Sequence, residues 1–175
     1  LNQTVYQFFA SYCQSFTGTE IAGMAGLVAS ACMAGQAISK VVLGIINDKS
    51  VKGGLAFGVG GGVIGIALMW LMPLQAAILM VGAFLFGCAY ACTTVQTPLL
   101  TRSVFGSRDY TNIYSRISMA GSLGSVVASL FWAWVIDLPN GFAMMFGLSI
   151  ACMVVCMVLG LFALKTGKKL EQTTE

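Results

Sequence analysis

One side chain invites chemistry before any other: Lys40, an ammonium inside an otherwise apolar run, with Gln36 one helical turn before it. Lys40 stands eight residues before Asp48, which is about 12 Å along a helix. The hydrocarbon half-thickness of a bilayer is about 15 Å, so the Lys40 Cα falls near the midplane. A lysine there costs roughly 2.5–3.5 kcal/mol on insertion scales. It either draws an anionic ligand into a cavity or snorkels toward the membrane surface. Glu20, Asp48, Asp109 and Asp137 fall at membrane edges or in loops, and Glu171 and Glu175 in the tail. Lys40 therefore meets no counter-ion at its own depth, which favours a ligand carboxylate in that place. The buried Asp, Glu or His of a proton relay is missing too. Exchange of one anion for another then fits, unless coupling resides in sequence beyond this chain.

Other chemistries drop out quickly. The chain has no His and six acidic residues, too few for most catalytic or metal-binding constellations. Cys88/Cys92 and Cys152/Cys156 are spaced i, i+4 within helices, not as Cys-x-x-Cys metal or redox pairs, and read as small apolar filler. Gly54, Gly58, Gly61, Gly62 and Gly65 could suggest a phosphate loop, but no Gly-x-x-x-x-Gly-Lys-Ser/Thr pattern follows. They read as helix-packing positions. Serines without a histidine make no triad. The expectation is no enzyme, no cofactor, no metal and no nucleic-acid partner.

The elements that must position Lys40 follow from composition. Of 175 residues, 58% are hydrophobic and 9% charged, and mean hydropathy is +0.87. A soluble domain carries about a quarter charged residues, so the partner of this surface is a lipid bilayer. Five runs reach the roughly 20 apolar residues needed to cross: 21–46, 54–72, 75–100, 112–136 and 142–164. Polar or Pro/Gly-rich breaks at 47–50, 72–73, 101–110 and 137–141 separate them. Runs this long and uniform do not make a β-barrel.

Lys49, Lys52, Arg102, Arg108, Lys165, Lys168 and Lys169 all fall on one side of these crossings, and the opposite loops carry no Lys or Arg. That asymmetry predicts a cytoplasmic C-terminus, with the cell membrane as location, and residues 1–20 beginning outside. Residues 1–16 are too short and polar to cross, and the chain lacks an initiator Met and a signal peptide. These features suggest a piece of a longer chain whose first stretch is the outer end of a preceding helix.

Polarity is shared unevenly. The first run holds Ser30, Gln36, Ser39 and Lys40; the third Tyr90, Thr93, Thr94, Gln96 and Thr97; the fourth Ser115, Ser118, Ser122, Ser125 and Ser129. The second has only Trp70 and the fifth only Ser149 and two cysteines. Polar groups in a membrane face protein or a water-filled cavity. The first, third and fourth helices should surround something, while the second and fifth face lipid. The serines step by three, four, three and four along one helical face. Beside Gly121, Gly124 and Ala128 that face reads as tight packing or as cavity lining.

At the first break the residues become specific. Gly44-Ile-Ile-Asn-Asp48-Lys49-Ser-Val-Lys52-Gly53 resembles the loop signature of the major facilitator superfamily, Gly-x-x-x-Asp-Arg/Lys-x-Gly-Arg/Lys-Arg/Lys. It departs at Val51, where glycine is expected, and at Gly53, where a second base is expected. The resemblance implies an all-α membrane protein: the C-terminal six-helix half of a twelve-helix fold, with helices eight to twelve complete. Residues 1–20 would be the end of the seventh helix and an external loop, 21–169 the crossings, and 170–175 a cytoplasmic tail. The N-terminal half of the same chain would be the missing partner.

Gly35-Gln-Ala-Ile-Ser-Lys40-Val-Val-Leu-Gly44 is similar to the eighth helix of the oxalate/formate antiporter and monocarboxylate porter branch. A cation four residues before that glycine contacts substrate carboxylate in the branch. Phe105-Gly106-Ser-Arg108-Asp-Tyr110-Thr-Asn-Ile-Tyr114-Ser resembles the same branch before the eleventh helix. The second cation of the oxalate carrier, midway along that helix, has no counterpart; Arg116 is the only base, near the cytoplasmic end. A monocarboxylate fits better than a dicarboxylate.

The expected function is secondary transport of a small organic anion by alternating access, as exchange or symport. Lys40 would hold the anion, with Gln36, Tyr90, Thr94, Ser122 and Ser125 supplying hydrogen bonds. Gly44, Asp48, Lys49 and Lys52 would form a conformational latch. A carrier of a sugar, drug or nucleoside, with Lys40 snorkelling, is the alternative, and a non-transporting membrane scaffold is another.

Overall fold

The structure, a computed structural model, describes residues 2–16, 18, 20–105 and 110–171. The chain opens with α1 (Asn2–Val5), a single 3-10 turn (Tyr6–Phe8), α2 (Phe9–Ser15) and α3 (Glu20–Gly23). Five long helices follow: α4 (Ala25–Lys49), α5 (Val51–Leu71), α6 (Ala76–Phe105), α7 (Tyr110–Ile136) and α8 (Gly141–Glu171). All five are long and apolar enough to cross a membrane, and no strand occurs among the described residues. This is an all-α integral membrane protein. Consecutive long helices run antiparallel, so the end carrying Ser50 also carries Lys52, Arg102, Tyr110 and Lys165.

The helix ends depart from the breaks read in the sequence. The first break shrinks from 47–50 to Ser50, because Asn47, Asp48 and Lys49 are polar without being helix breakers. Lys49 lies in the last turn of α4, where a cation suits the helix dipole. Ser50 is extended (φ −163, ψ 114), and its Oγ accepts the Gly53 N–H at 3.2 Å, capping α5. Helix α6 continues through Pro98 to Phe105. The α7–α8 turn holds where expected, with Asn140 at φ 62, a left-handed position asparagine tolerates.

Helices α4, α5 and α6 form the tightest part of the bundle. The α5 glycines face neighbours at close range: a Cβ on Gly65 would meet the Gly82 carbonyl and the Phe86 N–H, and one on Gly58 or Gly61 would meet Cys92 or Cys88. Backbones approach this closely only where side chains are absent. The expectation that α5 faces lipid therefore holds for one face only. Within the α5 span 39% is buried, against 22% for α4 and 17% for α8, while Phe57, Ile64 and Leu71 point outward.

At the end away from Ser50, the aromatic N-terminal stretch seals the bundle. The Tyr12 hydroxyl donates to the Met69 carbonyl at 3.0 Å, and its ring lies edge-on to Phe142 and Phe146. Phe9 packs edge-on to Phe86. Helix α7 buries Ala128, Trp132 and Val135, all in its second half, and its first half lies open.

Candidate functional site

Helix α4 divides into three faces. Val28, Cys32, Gly35, Ser39 and Leu43 are buried at steps of four, three, four and four. Leu27, Ile38, Val41 and Ile45 are exposed and large, as a lipid-facing stripe must be. The third face carries Gly26, Ala29, Met33, Gln36, Ala37, Lys40 and Gly44, each exposed or half-buried. Apart from Met33, this face is small residues with one amide and one ammonium, which do not make a lipid stripe; they leave room beside the helix. Lys40 lies three residues past the midpoint of α4, about 4.5 Å at the helical rise.

The α4–α6 crossing sets a second strip beside the first. A Cβ on Gly35 would overlap the Phe84 carbonyl oxygen, and one on Gly87 would press on the Cys32 carbonyl and the Gln36 N–H. One turn nearer the Ser50 end, the Ser39 hydroxyl lies 3.0 Å from Cys88 Sγ. With those contacts as reference, the helical period turns Lys40 and Gln36 on α4, and Tyr90 and Thr94 on α6, to the same side, opposite α5. Tyr6 lies edge-on to Tyr90 with ring centroids 5.1 Å apart, covering the strip from the far end. Toward the Ser50 end, Thr93, Thr94 and Lys40 are exposed.

Hydrogen bonds separate the six expected ligand residues into two groups. Thr94 donates to the Ala91 carbonyl at 2.9 Å, Ser122 to Ser118 at 3.0 Å and Ser125 to Ser122 at 2.7 Å. These hydroxyl protons are committed to their own helices. Lys40, Gln36 and Tyr90 carry side-chain donors with no acceptor among the described residues. These three are therefore the uncommitted donors of the six. Ser122 and Ser125 stand apart on α7, beside an open groove of about 780 Å³ that Ser125 lines with Leu148 and Cys152. Pro98 adds something the sequence reading passed over: lacking an N–H, it leaves the Thr94 carbonyl without its helical partner.

The expected latch is placed differently from its sequence reading. Asp48, Lys49 and Lys52 are exposed, in the last turn of α4 and the first of α5, and Gly44 faces open space. The polar tie at this end is Gln96, only 2% exposed, whose Nε2 donates to Asn47 Oδ1 at 2.8 Å and to the Val51 carbonyl at 3.3 Å. A Cβ on Gly54 would overlap both amides. Gln96 so joins α4, α5 and α6, a role its place in a polar census does not announce. Asn47 Nδ2 and Gln96 Oε1 stay unpaired in this tie. Replacing Gln96 with Leu should lower stability by about 1–3 kcal/mol, because Asn47 Oδ1 loses its donor. Thermal unfolding of the intact protein reads this, and an unchanged midpoint would show the tie to be idle. Gly106, Arg108 and Asp109, and residues 172–175 of the tail, lie outside the described residues.

Five crossings, a midspan cation on a small-residue strip and a short basic α4–α5 link are now in place. A family model described as Major Facilitator Superfamily matches residues 3–175. The chain belongs to the major facilitator superfamily. No curated protein and no solved structure matches it. Members of the superfamily are transporters, so the all-α bundle is part of a membrane carrier fold.

Proposed function

We propose that this chain is the C-terminal half of a secondary transporter that moves a small organic anion, a monocarboxylate, by alternating access. The observation that carries the reading is Lys40: a cation near the middle of α4, on a strip made mostly of small residues, with Gln36 and Tyr90 as donors that find no acceptor among the described residues. The described acidic residues Glu20, Asp48 and Asp137 all lie at helix ends. A substrate carboxylate is then the counter-ion available at Lys40's depth. The resemblance around Lys40 to the oxalate/formate and monocarboxylate branch supports the same substrate class.

In this reading the open face of α4, α6 and the first half of α7 meets the N-terminal half of the same chain, and the site lies between the halves near the midplane. Residues 1–16 belong to the outer end of the seventh helix, and the basic Ser50 end faces the cytoplasm of the cell membrane.

The test is counterflow. Liposomes holding the full-length parent protein and an unlabelled carboxylate are offered labelled formate, lactate, pyruvate or oxalate. Accumulation of a monocarboxylate above protein-free liposomes is the expected result. No counterflow of any of the four, from folded protein, would leave the family membership intact and remove the substrate class. Uptake of an uncharged solute that carboxylates do not compete would favour a different carrier, with Lys40 reaching for the membrane surface.

A further inference from the structure

The Ser50 end holds a second polar feature, apart from the anion site at Lys40. A pocket of about 470 Å³ opens between α4, α5, α6 and α8, lined by Asn47, Lys49, Ser50, Lys52, Ser103 and the edge of Leu164. Beside it runs a groove of about 210 Å³ with Val158, Leu161 and Phe162 as walls and Lys52 and Lys165 at its rim. Lys52 lines both, and Leu164 of the first is followed in the chain by Lys165 of the second, so the two lie side by side. One half offers the Lys49 and Lys52 ammonium groups and the Ser50 hydroxyl, while the Ser103 hydroxyl donates to its own Leu100 carbonyl at 3.1 Å; the other half offers hydrocarbon. No acidic residue lines either; Asp48 is exposed on the last turn of α4 and stands outside the lining. Lys49, Lys52 and Lys165 form no ion pair among the described residues.

We infer that this end binds an anionic phospholipid, its phosphate in the Lys49–Ser50–Lys52 pocket and the start of an acyl chain along Val158, Leu161 and Phe162. Charge complementarity selects the headgroup. Three lysines converge at the level where a membrane-spanning bundle meets the phosphate layer, where each cation attracts anionic lipid. The apolar groove selects a lipid over a free anion, since a soluble phosphate gains nothing from hydrocarbon walls. The site is distinct from Lys40, which lies nine residues up α4 from Lys49.

Intact protein in a neutral detergent, titrated with phosphatidylglycerol, phosphatidylcholine or glycerol phosphate, tests this by thermal midpoint. Phosphatidylglycerol should raise the midpoint saturably, and the other two should not. The Lys52→Gln/Lys165→Gln double variant should weaken phosphatidylglycerol roughly 25-fold, about fivefold per lysine, and Lys52→Arg/Lys165→Arg should restore it. Raising salt to 1 M should weaken binding to the unaltered protein, a readout that does not depend on a variant folding. Equal stabilisation by phosphatidylcholine, or binding indifferent both to salt and to the charge-removing pair, would overturn the inference. So would equal stabilisation by glycerol phosphate, which would make this a site for a soluble anion.

Discussion

Lys40→Gln in the intact protein is expected to reduce carboxylate counterflow to about one per cent of the unaltered rate while leaving membrane insertion and yield unchanged. A charge-assisted hydrogen bond contributes roughly 1.5–3 kcal/mol, a factor of about ten to a hundred and fifty in binding. Here the lost cation is also the only one near the middle of a described span. Lys40→Arg should retain a measurable part of the activity, since charge is kept while the bidentate fork replaces a point charge. Tyr90→Phe should cost less, about tenfold, because one neutral donor is removed. Full counterflow in Lys40→Gln would take Lys40 out of the mechanism. Equal loss in Lys40→Arg and Lys40→Gln would show that shape at this point matters more than charge.

The second large effect is architectural. Gly35→Val should destabilise the protein by about 3 kcal/mol or more and abolish transport, because its Cβ would overlap the Phe84 carbonyl oxygen. That atom is backbone and cannot swing aside, so α4 and α6 must separate, and overpacking of this kind ordinarily costs 1–3 kcal/mol. The damage reaches the site directly: the same crossing holds the Lys40 and Tyr90 strips on one side. Gly60→Ala, on α5 with open space around it, serves as the control and should leave the thermal midpoint nearly unmoved. If Gly35→Val and Gly60→Ala unfold at the same temperature, the close crossing does not hold these helices together.

Much of the architecture was legible in order along the chain. Hydropathy over windows of 20 residues is a local property, so five crossings and their approximate limits could be read directly. The small errors came from polar residues that do not break helices: Asn47, Asp48 and Lys49 read as a loop yet complete α4. The glycines of α5 mark packing positions, but their spacing does not say how much of the helix they bury. An apolar helix looks the same in sequence whether its glycines meet lipid or a neighbour.

The site divides in the same way. Sequence alone determined that Lys40 lies deep in the first long helix, that Gln36 shares its face, and that no acidic residue waits beside it. Those facts depend only on helical period and distance along one chain. Only the tertiary structure decided which other side chains can join them. The Gly35–Gly87 approach turns Tyr90 toward the Lys40 side, and hydroxyl protons on Thr94, Ser122 and Ser125 prove to be committed to their own backbones. Gln96, one of several polar residues on α6, becomes the buried tie between three helices. Which partner a hydrogen bond finds across 49 residues, as from Gln96 to Asn47, depends on how helices cross. Crossing is set by complementary surfaces that no single segment contains.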